Sequence, residues 1–219
     1  SALPLENATS VGDPRPRAFD VDVAPLPDGG FVAVWPSWDA PYSWARTYYD
    51  DGQPRGPAFA IDATGVVQDV AVSDSGEIAA VGSGGDAARE IWTRRFLADG
   101  TLIGARQVVR SMATGTSSTA EGDFDSRGNL FIVWSEYDSP NNIIQPPRAR
   151  AYDASRAPLG PDIQLSEVLA DQEVRVVRTH DDCFATSWYH LARAYMNVVC
   201  LCGAGNTECG DGVVDSQCE

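Results

Sequence analysis

Four arginines lie in similar short segments, each with an aromatic residue two positions later: Arg46, Arg94, Arg150 and Arg193. Side chains two positions apart on a β-strand share one face, so each guanidinium is predicted to lie beside its ring. One interpretation is a ring of four guanidinium groups around a channel that binds an anionic ligand. The other is structural: each arginine stacks on its ring and pairs with an acid of the repeat's first strand, namely Asp22, Asp69, Glu121 or Glu173. The acidic composition of the chain favours the structural interpretation.

A second group of candidates combines aromatic residues with Asp and Asn in two long loops. Trp38 and Tyr42 lie in the first loop, and Tyr137, Asp138 and Asn141 lie in the second. Aromatic rings stack on sugar rings, while carboxylate and amide groups bond hydroxyls, so these residues are predicted to contact a glycan or a protein. The alternative is that the aromatic rings only cover nearby apolar surface.

Motifs for metal binding and catalysis are incomplete. Residues 123–128 begin like a calcium loop, but Arg127 stands where the third oxygen ligand is needed. His180, Cys183 and His190 include the residue types of a Cys/His nucleophilic site, yet Cys183 occupies the first position of a predicted strand. We therefore expect no catalytic residue, no bound metal and no other cofactor, with calcium as the alternative.

The cysteines indicate the compartment. Cys183 is one of five, and the other four crowd the last twenty residues among Gly, Asn and Asp: Cys200, Cys202, Cys209 and Cys218. This clustering predicts disulfides, whereas the spacing matches no recognised zinc site. The odd count leaves one thiol that could pair with another chain. An oxidising location is expected: extracellular, at the cell surface or in the periplasm.

Composition excludes some partners. The 219 residues include 31 acidic and 16 basic ones, which gives a net charge of −15. Such a chain repels nucleic acid phosphates and anionic lipid headgroups, so a nucleic acid partner is not expected. No run of apolar residues is long enough to span a membrane.

Internal repeats set the predicted architecture. Four segments superpose without gaps, at residues 28–35, 75–82, 127–134 and 181–188, and three of them end in Trp35, Trp134 and Trp188. Each begins with a polar or glycine-containing turn and continues as an apolar strand, which is typical of a hairpin. The repeats are assigned to residues 18–64, 66–112, 117–168 and 171–204.

Each repeat offers four short strands, the number in one propeller blade. The predicted fold is therefore all-β, a small β-propeller of about four four-stranded blades within residues 1–204. Residues 1–9 are predicted to supply a closing strand, and residues 205–219 form a disulfide-stapled tail. A two-sheet β-sandwich and a fragment of a larger propeller are the alternatives.

Two resemblances accompany these motifs. The repeat that reads Asp28-Gly-Gly-Phe-Val-Ala-Val-Trp35, followed by Arg-x-Tyr and a later Pro-x-Gly, resembles tandem β-propeller-like repeats of secreted bacterial proteins, over residues 18–204. The segment Cys209-Gly-Asp-Gly-Val-Val-Asp215 resembles the opening of cysteine-rich repeats common in surface proteins of myxobacteria and their relatives. It departs from that pattern by stopping at Glu219. Both resemblances imply a secreted or surface-attached protein, and neither implies one activity.

The sequence as a whole favours a non-catalytic extracellular or cell-surface recognition module that binds a glycan or a protein through blade loops. One alternative is a structural surface protein that self-assembles through sheet edges or an unpaired cysteine. The other is a polysaccharide hydrolase or lyase.

Overall fold

The computed structural model describes residues 21–38, 41–84, 89–112, 116–138, 141, 143–171, 173–179 and 182–201. These residues form sixteen β-strands and no helix, so no membrane-spanning helix exists among them. The strands are β1 (Asp22–Pro25), β2 (Phe31–Pro36), β3 (Ser43–Tyr48), β4 (Phe59–Asp62), β5 (Val66–Val72), β6 (Ile78–Ser83), β7 (Arg89–Phe96), β8 (Leu102–Met112), β9 (Thr116–Phe124), β10 (Leu130–Asp138), β11 (Ile143–Ile144), β12 (Arg148–Tyr152), β13 (Ile163–Gln164), β14 (Val174–Arg178), β15 (Cys183–His190) and β16 (Arg193–Cys200).

The strands form four antiparallel sheets that follow one another along the chain. Sheet 1 contains β1 to β4, sheet 2 contains β5 to β8, sheet 3 contains β9 to β13, and sheet 4 contains β14 to β16. In sheets 1, 2 and 4, strands that follow each other in sequence pair with each other; in sheet 3, β10 pairs with β9, with the short β11 and with β12. Each repeat is therefore one antiparallel blade. The predicted all-β, four-bladed propeller architecture is confirmed, with three described strands in the last blade. Residues 1–9 and 205–219 lie outside the described residues.

The sheets pack face to face in series, with one apolar cluster at each interface. Val32 and Val34 of sheet 1 pack with Ile78 and Ala80 of sheet 2. Ala79 and Val81, on the other face of sheet 2, pack with Leu130 and Ile132 of sheet 3. Phe131 and Val133 pack in turn with Phe184 and Trp188 of sheet 4. The alternation of strand side chains therefore supplies both faces of the inner sheets with apolar groups.

The turn between the first and second strand recurs in every sheet. The residue with positive φ is Gly29 at 91°, Gly76 at 85°, Gly128 at 81° and Asp182 at 65°. Glycine adopts this conformation without strain, and Asp is among the residues that tolerate it best. The conserved geometry explains why the four segments superpose without gaps at this end.

The tryptophan position of the repeat is buried in three sheets. Trp134 of sheet 3 is fully buried, and Trp35 and Trp188 are nearly so. Gly82 occupies this position in sheet 2 because the indole of Trp92, from β7, fills the space: a Cβ on Gly82 would lie 2.5 Å from that ring. Sheet 2 therefore also has a buried tryptophan at this place, but the indole comes from β7 instead of β6.

Sheet 4 departs from the alignment made from sequence. Its second and third strands are joined by two residues only, Leu191 and Ala192, since His190 pairs with Arg193. This short turn shifts the register, so Asn197 lies opposite Thr186, the position equivalent to those that face Arg46, Arg94 and Arg150. Arg193 is exposed at the end of its strand. Its local motif, with an aromatic residue two positions later, matched the other arginines, but the longer loop that separates the repeat segment from the arginine in the other sheets is absent here.

One disulfide closes the same sheet. Cys183 and Cys200 are paired residues of β15 and β16 and are bonded through their sulfurs. The bridge joins the open ends of the two strands, opposite the Leu191–Ala192 turn. Cys202, Cys209 and Cys218 lie outside the described residues.

Candidate functional site

The first strands of the four sheets converge. The contacts between sheets are concentrated between β1 and β5, between β5 and β9, and between β9 and β14. These strands therefore form the inner wall of the molecule, and the third and fourth strands lie further out.

A charged side chain occupies the same register position in each inner strand. The segments aligned by the repeat place Asp22 opposite Val34, Asp69 opposite Val81, Glu121 opposite Val133 and Arg175 opposite Ser187. We call these four residues the axial row. From the sequence, Glu173 was expected to be the first-strand acid of the fourth repeat. In the structure, Glu173 precedes β14 and is exposed. Sheet 4 thus contributes a cation where the other three contribute a carboxylate.

Each carboxylate of the axial row binds the backbone of the following sheet. Asp22 accepts a hydrogen bond from the amide of Val70 at 2.9 Å, and Asp69 accepts one from Gly122 at 2.7 Å. Glu121 accepts one from Val176 at 3.1 Å and also pairs with Arg175. These bonds satisfy amides of the inner strands that have no further strand beside them, and they fix the spacing between sheets.

The inner strands line a half-open cavity of about 300 Å³ to which all four sheets contribute. Its polar walls include Asp69, Asp123 and Arg178, and its apolar walls include Val23 and Val176. The Arg178 guanidinium pairs with Asp74 at 2.9 Å, and its amide donates to Asp123 at 2.6 Å. Sequence reasoning missed this cavity, although an acid recurring in every first strand was the available signal.

Burial controls the acidity of these groups. Desolvation raises the pKa of Asp69 well above its ordinary value, and the nearby Glu121 carboxylate raises it further. Burial also raises the pKa of Glu121, against the opposing effect of Arg175, and that of Asp123, against the amide of Arg178. The inner wall is therefore a place where negative charge is costly.

The repeated arginines lie away from this wall. Arg46, Arg94 and Arg150 are on β3, β7 and β12, which the second strand of each sheet separates from the axis. The Arg46 guanidinium lies 5.8 Å from the ring centre of Tyr48, and that of Arg150 lies 5.6 Å from Tyr152. The strand order thus contradicts a guanidinium ring around the channel. The acids expected to hold these arginines instead bind the next sheet.

The loops between second and third strands project from the opposite end of the sheets to the first turns. We call this end the loop face. Trp38 lies there and is 60% exposed. Its loop is closed at the base by the Ser37 amide, which donates to the Tyr42 carbonyl at 2.8 Å, and Tyr42 is half-buried. A large aromatic ring is therefore presented to solvent by a loop with a fixed base.

Sheet 3 contributes the polar part of the loop face. Asp138 accepts a hydrogen bond from the side chain of Asn141 at 2.7 Å, and Tyr137 pairs with Ile144 of β11. Beneath them, Glu136 accepts bonds from the Trp134 indole at 2.9 Å and from Arg110 at 3.0 Å. This network holds the end of β10 in place. Trp38 and Tyr137 belong to sheets separated by sheet 2, so the structure puts them on one end of the molecule but in different blades.

The calcium-like segment is a closed turn. Asp125 is fully buried, and its carboxylate accepts bonds from the amides of Arg127 and Asn129 at 2.9 and 2.8 Å. The Arg127 side chain pairs with the same carboxylate at 3.2 Å. Among the described residues, no group of three His, Cys, Asp or Glu side chains is placed to hold a metal ion.

The Cys/His combination does not form a nucleophilic site. Cys183 is oxidised in the bridge to Cys200, so it has no thiolate. The Nδ1 atom of His190 lies 2.7 Å from the Asp171 carboxylate, at the turn end of sheet 4. His180 lies outside the described residues.

Comparisons with solved structures support the fold. A polysaccharide lyase of family PL25, an ulvan lyase bound to -[GlcA(1-4)Rha3S]-, is similar with a TM-score of 0.56 and 8% identity, over 84% of this chain and 52% of that one. The Hadza microbial sialidase Hz136 is similar with a TM-score of 0.52 and 9% identity, over 83% of this chain and 44% of that one. This chain therefore spans about half the length of either structure. No family model matches the chain. No curated protein matches it either.

Proposed function

We propose that this protein is a non-catalytic extracellular or cell-surface recognition module that binds a glycan on its loop face. The observation that carries the proposal is Trp38, 60% exposed on a loop closed by a hydrogen bond at its base. Exposing an indole to water is unfavourable, and a sugar ring stacked on it would remove apolar surface from water at little conformational cost.

Two further observations support a glycan as the ligand class. Asp138 and Asn141 place carboxylate and amide groups on the same face, where they can bond hydroxyls. Two proteins of similar fold are an ulvan lyase bound to -[GlcA(1-4)Rha3S]- and a sialidase by name, which supports a saccharide as the ligand class. The net charge of −15 disfavours polyanions, so a neutral glycan is the expected ligand. The Cys183–Cys200 bridge fits an oxidising, extracytoplasmic location.

The test is binding of neutral polysaccharides, measured by affinity electrophoresis in gels that contain β-glucan, galactan or mannan. Replacing Trp38 with Ala should weaken binding at least about tenfold, which corresponds to about 1.4 kcal/mol. The matched control is Tyr49→Ala, because Tyr49 is an aromatic residue of the same sheet, 52% exposed, in the turn at the opposite end. The control should bind as the unmodified protein does.

Unchanged affinity of Trp38→Ala would contradict the site, and equal losses in both variants would show that the effect is not local. Release of reducing ends from a bound polysaccharide would contradict the non-catalytic assignment.

A further inference from the structure

The half-open cavity between the inner strands lies away from the proposed glycan site. Pro25 and Val72, the last residues of β1 and β5, line it, so it is at the end of the inner strands that leads into the first turns. The loop face, with Trp38, is at the opposite end of the sheets. A ligand in the cavity would therefore occupy a separate site.

Apolar side chains form part of the cavity wall. Val23, Val72 and Val176 come from sheets 1, 2 and 4, and Val23 is 53% exposed although it belongs to an inner strand. The volume of about 300 Å³ equals that of roughly ten water molecules, each of which occupies about 30 Å³ in the liquid. A concave site of this size that combines apolar side chains with a few charged groups is typical of small-molecule binding.

The cationic groups at and beside the cavity already have partners. The Arg178 guanidinium donates two hydrogen bonds to the Asp74 carboxylate, at 2.9 and 3.1 Å. Charge-assisted pairs with two parallel bonds are among the strongest that a guanidinium forms. Arg175, in the adjacent axial row, pairs with Glu121. Both positive charges are thus paired directly with carboxylates that do not line the cavity.

Two carboxylates line the cavity, those of Asp69 and Asp123. Asp69 accepts a hydrogen bond from the Gly122 amide at 2.7 Å, and Asp123 accepts one from the Arg178 amide at 2.6 Å. Within the described residues, these bonds come from the backbone and not from a cationic side chain. Burial raises the pKa of both groups, and the Glu121 carboxylate raises the pKa of Asp69 further. A positive charge beside them would favour their ionised forms and offset this cost.

An organic ammonium group fits this wall better than a metal ion does. A bound calcium ion takes about six to eight oxygen ligands. Over the described part of the chain, no three His, Cys, Asp or Glu side chains converge to hold a metal. An ammonium group instead donates a hydrogen bond from each of its N–H groups, so a pair of carboxylates can hold it. The apolar side chains of the wall can cover the carbon skeleton attached to it.

We propose that the cavity binds a small organic ammonium compound, with its charged group between the carboxylates of Asp69 and Asp123 and its carbon skeleton against Val23 and Val176. The volume restricts the ligand to a primary amine of about ten non-hydrogen atoms or fewer. The net charge of −15 attracts such a cation to the protein. This second binding site does not depend on the glycan site.

The experiment compares three probes that share one ring: cyclohexylamine, cyclohexanol and cyclohexanecarboxylate. Their dissociation constants are measured by ligand-detected NMR on the purified protein, at neutral pH and physiological ionic strength. Cyclohexylamine should bind in a saturable way and at least about tenfold more tightly than cyclohexanol, because only the amine compensates the two carboxylates. Cyclohexanecarboxylate should bind more weakly than either, since its charge is repelled.

Substitutions in the wall separate charge from shape. Asp69→Asn and Asp123→Asn should each weaken cyclohexylamine binding at least about tenfold and leave cyclohexanol binding unchanged, since Asn keeps an oxygen for the backbone amide. Asp99→Asn is the matched control: it removes one carboxylate from an exposed outer turn of sheet 2 and should bind as the unmodified protein does. Val23→Phe puts a larger ring at the exposed part of the wall and should weaken binding of both probes.

Four results would overturn the proposal. They are no saturable binding of cyclohexylamine, equal affinity for the amine and the alcohol, an equal loss in Asp99→Asn, and unchanged binding in Val23→Phe. The third would show that the amine responds only to the overall charge, and the fourth that it binds outside the cavity. Circular dichroism spectra that match the unmodified protein show that the variants are folded.

Discussion

At the scale of single residues, the axial row shows how one position is used for packing and for charge. The carboxylates of Asp22, Asp69 and Glu121 accept hydrogen bonds from backbone amides of β5, β9 and β14, the role that a further paired strand would have. Burial raises the pKa of Asp69 and that of Glu121, and the effect is largest for Asp69. The row therefore joins the sheets but leaves them sensitive to pH.

Replacing Asp69 with Asn should weaken this pH dependence. The pKa of Asp69 is raised in the folded protein, so its contribution to stability is full below the ordinary value of 3.8 and is lost as the pH rises through the folded value. Asn keeps an oxygen for the Gly122 amide and carries no charge. The free energy of unfolding of Asp69→Asn, relative to the unmodified protein, should thus increase between pH 4 and pH 8 in urea titrations.

Asp99→Asn is the control for this titration. A backbone hydrogen bond from Thr101 lowers the pKa of Asp99, so its stabilising effect is present above 3.8 and is lost only at lower pH. Its difference from the unmodified protein should stay flat over the same range. A flat difference for Asp69→Asn as well would show that the carboxylate ionises as easily folded as unfolded.

At the scale of elements, the turn of the β15–β16 hairpin consists of residues that disfavour its backbone conformation. Leu191 and Ala192 form the two-residue turn with φ of 47° and 63°, the conformation of a type I′ turn, for which Asn-Gly is preferred. Residues with a Cβ are strained there by roughly 1–2 kcal/mol each. The pairing of eight residues on either side, and the Cys183–Cys200 bridge, hold the turn in place.

The double substitution Leu191→Asn with Ala192→Gly should stabilise the protein by about 1–2 kcal/mol because it relieves this strain. The shift is measured as a higher denaturation midpoint in urea with an unchanged slope. Ala60→Gly, an exposed position within β4, is the matched control and should destabilise by about 0.5–1 kcal/mol. Destabilisation by the double substitution would mean that the Leu191 side chain contributes more than its 74% exposure suggests.

At the scale of the whole molecule, the sheets are joined in series and differ in how much of each is covered. Among the described residues, apolar clusters join sheets 2 and 3 to a neighbouring sheet on both faces, whereas they join sheets 1 and 4 to one neighbouring sheet each. In such linear arrays, stability is the sum of the stability of each unit and of its interfaces with its neighbours. The end sheets should therefore open more easily than the middle ones.

Hydrogen exchange measured by mass spectrometry on the purified protein should show this gradient. Amides of β6 and β10, in the middle of covered sheets, should exchange slowest. Amides of β15 and β16 should exchange at least about tenfold faster, which corresponds to about 1.4 kcal/mol less local stability. Equal protection in all four sheets would indicate that the molecule opens only as a whole.

The sequence by itself determined what depends on neighbouring residues. The Asp28-Gly29 turn and its equivalents predicted where strands begin, since Gly29, Gly76 and Gly128 adopt positive φ that other residues avoid. Alternating apolar positions predicted two-faced strands, and four repeats predicted four blades. The exposure of Trp38 followed from its departure from the repeated tryptophan positions.

The tertiary structure decided what depends on distant pairing. The register of β16 placed Asn197, not Arg193, at the repeated position, and the register of β14 placed Arg175, not Glu173, in the axial row. Spacing along the chain cannot reveal such shifts, because a shorter loop changes the count while strand pairing and core packing choose which residues meet. For the same reason, the cavity between the inner strands and the Cys183–Cys200 pair could be identified only from the assembled sheets.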